Sequence, residues 1–174
     1  AKPLGCYGDG GAIFTNDDYL AKLLKSIRIH GKGKDKYTNI RIGLNGRLDS
    51  IQAAILISKM SLFENEIIKR NNIANLYNEL LNGYIVTPKI PKGYRSSWAQ
   101  YSLLANNEKH RNDFIEKLYA KQIPTNIYYS IPLHLQKAFE KLNYKKGDFP
   151  ISEKISKKIF SLPMYPYLSE KDIK

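Results

Sequence analysis

A helical pattern running from Asp49 to Leu81 constrains the architecture of this chain more than any other stretch. Asp49 is suited to cap its start, with Gln52 three residues on in the capping-box position. Leu48, Ile51, Ala54, Ile55 and Leu62 follow helical spacing and predict a buried face. The pattern continues through Phe63-Glu64-Asn65-Glu66-Ile67-Ile68-Lys69-Arg70 to Leu80-Leu81, and Asn82-Gly83 ends it. A helix over 49–81 is much longer than the ~11–12-residue mean, and helices of that length often link two domains. The spacing therefore predicts a domain over 1–62, holding the start of the long helix, and a second over 63–174.

The opening run, Lys2-Pro3-Leu4-Gly5-Cys6-Tyr7-Gly8-Asp9-Gly10-Gly11-Ala12-Ile13-Phe14, carries the first chemical signal. One lysine precedes a glycine-dense turn, and Ala12-Ile13-Phe14 reads as a buried strand near Gly11–Phe14. Glycines at 5, 8, 10 and 11 let backbone approach backbone, or a ligand, where a side chain would collide. A lysine held rigidly beside a cofactor can form a Schiff base when its amine is unprotonated, which calls for a placed, low-dielectric site. By itself the run could equally be a surface lysine ahead of a hairpin. Thr15-Asn16-Asp17-Asp18 then predicts a helix start, Leu20, Leu23, Leu24 and Ile27 its apolar spacing, and His30-Gly31 its end. Residues 31–47 read as loop.

The second half predicts strands at Tyr84–Thr87, Tyr101–Leu104 and Ile127–Tyr129. Helices are predicted over 108–121, near Leu135–Leu142 and over Ser152–Phe160, with Leu162–Pro166 extended. That is a small α+β domain.

At 174 residues, 43% hydrophobic and 25% charged, the composition is that of a soluble globular protein. No run approaches the ~20 apolar residues of a membrane span, and no signal peptide is visible. Cys6 is the single cysteine, expected as a small buried residue, and no Cys/His pair has metal-ligand spacing. A cytoplasmic setting is expected. The net charge of +12 raises a nucleic-acid reading, but the lysines are scattered and no basic helix interleaves them with stacking aromatics. The chain opens without Met, one residue ahead of Lys2, and is expected to be part of a longer protein.

Four stretches, taken in order and at these distances, carry a resemblance. They are Lys2-Pro3-Leu4-Gly5 with Gly8–Ala12; Arg28-Ile29-His30-Gly31; Gly43-Leu44-Asn45-Gly46-Arg47-Leu48-Asp49 with Gln52-Ala53-Ala54; and Ile123-Pro124-Thr125, Tyr129, Pro132-Leu133-His134, then Phe149-Pro150, Glu153 and Leu162–Pro166. Together they resemble the DegT/DnrJ-type sugar aminotransferases, over about the second half of a complete member. The resemblance implies an α/β chain of PLP-transferase fold type I (aspartate-aminotransferase-like). Residues 1–62 would be the C-terminal part of the large domain that binds pyridoxal 5'-phosphate, and 63–174 the small C-terminal α+β domain. It also implies a homodimer with shared active sites.

In that likeness Lys2 is the Schiff-base lysine, and the general base and acid of the proton shift. Asn45 reaches the cofactor phosphate of the neighbouring subunit, as a neutral amide can without adding a titrating group. Arg47 contacts the substrate's nucleotide phosphates. Tyr129, with Tyr128, touches the nucleotide sugar; many relatives carry histidine where this chain has Tyr128, and a phenol does not become cationic near neutral pH. The implied reaction moves an amino group from L-glutamate to a nucleotide-linked keto sugar. A UDP-3-keto-glucuronate derivative fits the Lys2–Ala12 spelling best, in bacterial surface glycan (lipopolysaccharide) biosynthesis. Lysine at position 2 argues against the family's dehydratase branch. The family's remaining cofactor residues precede this lysine, so the 174 residues alone are expected to be inactive, with apolar surface uncovered on the first ~60 residues. A 4-keto-6-deoxy sugar substrate, a regulatory relative, and a non-catalytic basic binding module are the competing readings.

Overall fold

The computed structural model describes residues 2–174, in two compact units that meet in sequence at Phe63 and Glu64. In the first unit, α1 (Asp18–Ile27) begins where the polar run predicts it: the Asp17 carboxylate accepts from the Leu20 amide at 3.0 Å. That bond satisfies one of the amides a helix start leaves without a partner. The second helix, α2 (Ser50–Leu80), gives its first residues to this unit and the rest to the next.

The expected strand at Gly11–Phe14 is not formed. Its backbone finds no partner ladder among the described residues, and a strand exists only as one side of a ladder. Ile13 is 72% exposed and Phe14 91% exposed. The predicted buried face of α2 fails here too, since Ile51 and Leu62 stand in solvent. Cys6 is half-buried, not fully buried. Uncovered apolar surface on the first 60 residues is what the sequence led us to expect.

The second unit closes a core of its own. Here α2 turns one face inward through Ile67, Arg70, Ile73, Ala74 and Tyr77, positions that recur every three to four residues as helical geometry requires. Strands β1 (Tyr101–Leu104) and β2 (Ile159–Leu162) pair antiparallel, Tyr101 opposite Leu162 and Leu104 opposite Ile159. Tyr101, Leu103 and Phe160 are fully buried between them and the helices. Phe114, Ile115 and Leu118 of α3 (Glu108–Ala120) pack against this cluster, as their spacing predicts. Short helices α4 (Pro150–Ser156) and α5 (Glu170–Ile173) complete the unit.

Three predicted elements in this half differ. Tyr84–Thr87 and Ile127–Tyr129 are not strands; only single bridges form, Val86 to Leu104 and Asn126 to Ser161. Both flank a two-stranded ladder too short to hold longer neighbours. Leu135–Leu142 is replaced by two 3-10 turns, Leu133–Leu135 and Lys137–Leu142. The helix expected to reach Phe160 stops at Ser156, and Phe160 joins β2, where burial of its ring outweighs the continuing helical period.

Polar groups in the core are matched to fixed partners, with Arg70 Nε the one buried side-chain exception among the described residues. The Arg70 guanidinium donates to the carbonyls of Trp98 (3.0 Å) and Met164 (3.1 Å). Burial lowers its pKa, with Glu66 opposing. Tyr77 donates to the Pro163 carbonyl at 3.1 Å, and Tyr101 to Asn78 at 2.7 Å. Burial pushes the Tyr77 phenol up to about 12 and raises that of Tyr101 as well. No helix among the described residues is long and apolar enough to cross a membrane.

Candidate active-site surfaces

Lys2 sits on a glycine-rich loop that α2 holds at two points. The Tyr7 amide donates to Gln52 Oε1 at 2.7 Å, and Lys59 Nζ donates to the Gly5 carbonyl at 2.7 Å. Gln52 therefore does not close a capping box with Asp49; its amide is spent on the loop. Two glycines of the loop meet neighbours closely: a Cβ on Gly8 would touch the Gln52 side chain, and one on Gly10 would come within 3.1 Å of Cys6 Sγ and 3.3 Å of Leu48. Gly10 is thus the loop glycine whose missing side chain the packing requires, while Gly11 has open space around it. Lys2 itself is exposed, so the first unit by itself does not enclose the amine in the low-dielectric setting its chemistry asks for.

Two of the motifs that looked separate in sequence are one piece of structure. The Leu44 amide donates to Ile27 (2.9 Å), the His30 amide to Leu44 (3.0 Å) and the Gly46 amide to Arg28 (2.8 Å), while Ile29 bridges Asn45. The turn that permits this uses His30 at φ 58° and Gly31 at φ 73°. A Cβ on Gly31 would fall 1.8 Å from the Arg41 carbonyl oxygen, and one on Gly43 2.1 Å from the Gly31 amide nitrogen. Only glycine fits either place. The strap carries Asn45 and Arg47 on the end of α1 with both side chains exposed. His30 acts here through its backbone.

In the second unit Tyr128 and Tyr129 are joined by a cis peptide bond, their rings 5.7 Å apart and nearly perpendicular. Both line an open cavity of about 790 Å³, with Leu133, Gln136, Phe149 and Ile155 among its other walls. Tyr129 is exposed and Tyr128 half-buried. Behind the wall, His134 Nε2 lies 3.0 Å from Glu153 Oε1, with both side chains largely buried.

Lys2, Asn45 and Arg47 thus belong to the first unit, and Tyr128 and Tyr129 to the second. Two participants escaped the sequence reading. Gln52 was visible within its motif but assigned to a helix cap. Lys59 had no local signal, because its partner lies at the other end of the unit's sequence.

The model of the DegT/DnrJ/EryC1/StrS aminotransferase family matches residues 1–174. A Pseudomonas aeruginosa protein named UDP-2-acetamido-2-deoxy-3-oxo-D-glucuronate aminotransferase is 43% identical across 100% of this chain and 47% of its own length. A Geobacillus stearothermophilus protein named pleiotropic regulatory protein is 42% identical, over 97% of this chain and 45% of its own. A crystal structure of an aminotransferase of this family from Brucella abortus is 50% identical and superposes with a TM-score of 0.90, over 98% of this chain and 45% of that one. The chain spans about half the length of the relatives it matches. Its mixed helix-and-sheet architecture is that of PLP-transferase fold type I, as the motifs implied. Matched from end to end, the chain belongs to the DegT/DnrJ/EryC1/StrS aminotransferase family.

Proposed function

We propose that the full-length protein carrying this chain moves an amino group from L-glutamate to a nucleotide-linked keto sugar. The preferred substrate is a UDP-3-keto sugar such as a 3-keto-glucuronate derivative. The observation that carries this reading is the 43% identity, over the whole chain, to a relative named for that substrate. The cofactor is pyridoxal 5'-phosphate, the setting cytoplasmic, and the working state a homodimer with shared sites.

The residues fit that cofactor. It presents an aldehyde and a phosphate dianion, and the first unit offers an exposed primary amine at Lys2 and an exposed amide at Asn45. When bound, pyridoxal phosphate supplies the electron sink for breaking a C–H bond next to nitrogen. The rest falls to the protein. Lys2 Nζ takes a proton from one carbon and returns it to another, as base and then acid, from a loop fixed by Gln52 and Lys59. Asn45 donates to the phosphate of the cofactor in the neighbouring subunit. Arg47 presents a planar fork to the nucleotide phosphates, two oxygens at a time. Tyr129, on the cavity wall, donates from its phenol to the sugar, and Tyr128 flanks it.

The test is an assay of the full-length protein for 2-oxoglutarate release from glutamate with a panel of nucleotide keto sugars. Borohydride reduction should leave the pyridoxyl group on the peptide holding Lys2. No release with any 3-keto or 4-keto sugar would sink the reading. The likeness to the regulatory protein favours a second one, in which the chain binds cofactor without turnover. A pyridoxyl adduct on Lys2 with no transfer would select it.

A further inference from the structure

The second unit contains a largely buried carboxylate that the proposed chemistry leaves unused. Glu153 lies in α4, and its side chain is 14% exposed. One oxygen, Oε1, gathers three donors: the Gly147 amide at 2.7 Å, His134 Nε2 at 3.0 Å and the Phe149 amide at 3.4 Å. The Gly147 amide first, then His134 and Phe149, hold the carboxyl below the usual range, while desolvation opposes them. A carboxylate accepting several such bonds is a strong fixed anchor.

The anchored pieces matter because of where they lie. His134 sits in the turn Leu133–Leu135, and Gly147 and Phe149 in the loop that enters α4. The His134 ring packs on Phe149 at 4.7 Å, and Phe149 on Tyr144 at 5.1 Å. Leu133 and Phe149 are walls of the same cavity as Tyr128 and Tyr129. One carboxylate therefore draws two wall segments together from behind, without itself lining the cavity.

We propose that Glu153 is a positioning residue for the nucleotide sugar: through His134, Gly147 and Phe149 it fixes the wall that the substrate meets beside Tyr129. This rests on the function proposed above. A preset wall lowers the ordering cost of binding. Removing the anchor therefore weakens capture of the sugar and leaves the reaction with glutamate, which needs no nucleotide, untouched.

The experiment uses the full-length enzyme loaded with pyridoxal phosphate, as wild type, Glu153→Gln and Phe149→Leu, and the double variant. Glu153→Gln keeps the shape and loses the charge. The KM for the nucleotide keto sugar should rise about tenfold in Glu153→Gln, with the glutamate half-reaction within about twofold of wild type. The double variant should show less than the sum of the two effects, because both act on one wall. A KM within about twofold of wild type overturns the proposal, even with a lowered melting temperature, as does a parallel loss in both half-reactions. If Glu153→Gln does not fold, Phe149→Leu decides: an unchanged KM there also overturns it. Wild type that turns over no keto sugar refutes the underlying function instead, which separates the two failures.

Discussion

The two units divide the burden of folding and chemistry unequally. In the second, Tyr101, Leu103 and Phe160 are sealed, and Tyr77, Trp98 and Ala74 close around them. In the first, Gly31 is the one described residue that is buried. Many of its apolar side chains, among them Phe14, Ile42 and Ile57, stand in solvent at 91%, 97% and 74%. Yet the first unit carries Lys2, Asn45 and Arg47. Its order comes from backbone hydrogen bonds and close glycine contacts, not from a hydrophobic core. A unit of that kind holds loops in shape locally and relies on further contacts for its stability.

The largest effect should appear where the chemistry is. Lys2→Ala in the full-length protein is expected to lower amino transfer by about 10⁴-fold or more, since the proposed function makes this one amine both nucleophile and proton carrier. Amide protection of Ile73, Leu103 and Phe160 should not change. Loss of protection there would mean that the lysine supports the fold.

The same residue type, placed in each unit, tests the contrast directly. Phe160→Ala is expected to destabilise the chain by about 3–5 kcal/mol, read from the denaturation midpoint of the second unit. Phe14→Ala, at 91% exposure, should stay within about 0.5 kcal/mol in the same 174-residue chain. Equal costs would break the comparison.

Gly31→Ala probes what substitutes for a core in the first unit. Its Cβ would overlap the Arg41 carbonyl at a φ that L residues resist, so a local cost above about 1 kcal/mol is expected. The strap bearing Asn45 should loosen, and the full-length protein should bind pyridoxal phosphate more weakly in a titration. Unchanged affinity would show that the strap's geometry does not set Asn45.

The smallest effect concerns pH and belongs to the second unit. Tyr77 is neutral when folded and its pKa is raised to about 12 by burial. Between about 10 and 12 the folded state holds a proton that the unfolded chain has released, so stability present below pH 10 is lost as pH rises. The depressed Glu153 carboxyl works oppositely: its contribution is present above the ordinary glutamate range and is lost as pH falls through the lower folded value. The denaturation midpoint across this alkaline range should fall less steeply with pH for Tyr77→Phe than for wild type; identical slopes would remove Tyr77 as a cause.

Much of this was readable in the chain. The cap at Asp17, the spacing of α1 and α3, and the length of α2 are local signals, and local backbone energetics expresses them directly. The four motif stretches carried the family, and they name Lys2, Asn45, Arg47, Tyr128 and Tyr129 as candidates for its site. Gln52 was legible only as a helix-start glutamine, because its Tyr7 partner is 45 residues away. The period around Phe160 predicts helix, because period alone does not weigh the burial that makes it strand. Ala12-Ile13-Phe14 predicts a strand by composition, and composition does not say whether a partner ladder exists.

The sequence by itself determined the positions of α1, α2 and α3, the motif order and the chemical types of the candidate site residues, since these depend on near neighbours along the chain. Tertiary structure decided that Arg28–Gly31 and Gly43–Gly46 form one strap, that Gln52 and Lys59 hold the Lys2 loop, and that Glu153 joins His134 to Gly147 and Phe149. Each of these is a hydrogen bond or a close backbone approach between distant residues. Such contacts exist only when the fold has brought the partners together, and no local period encodes them.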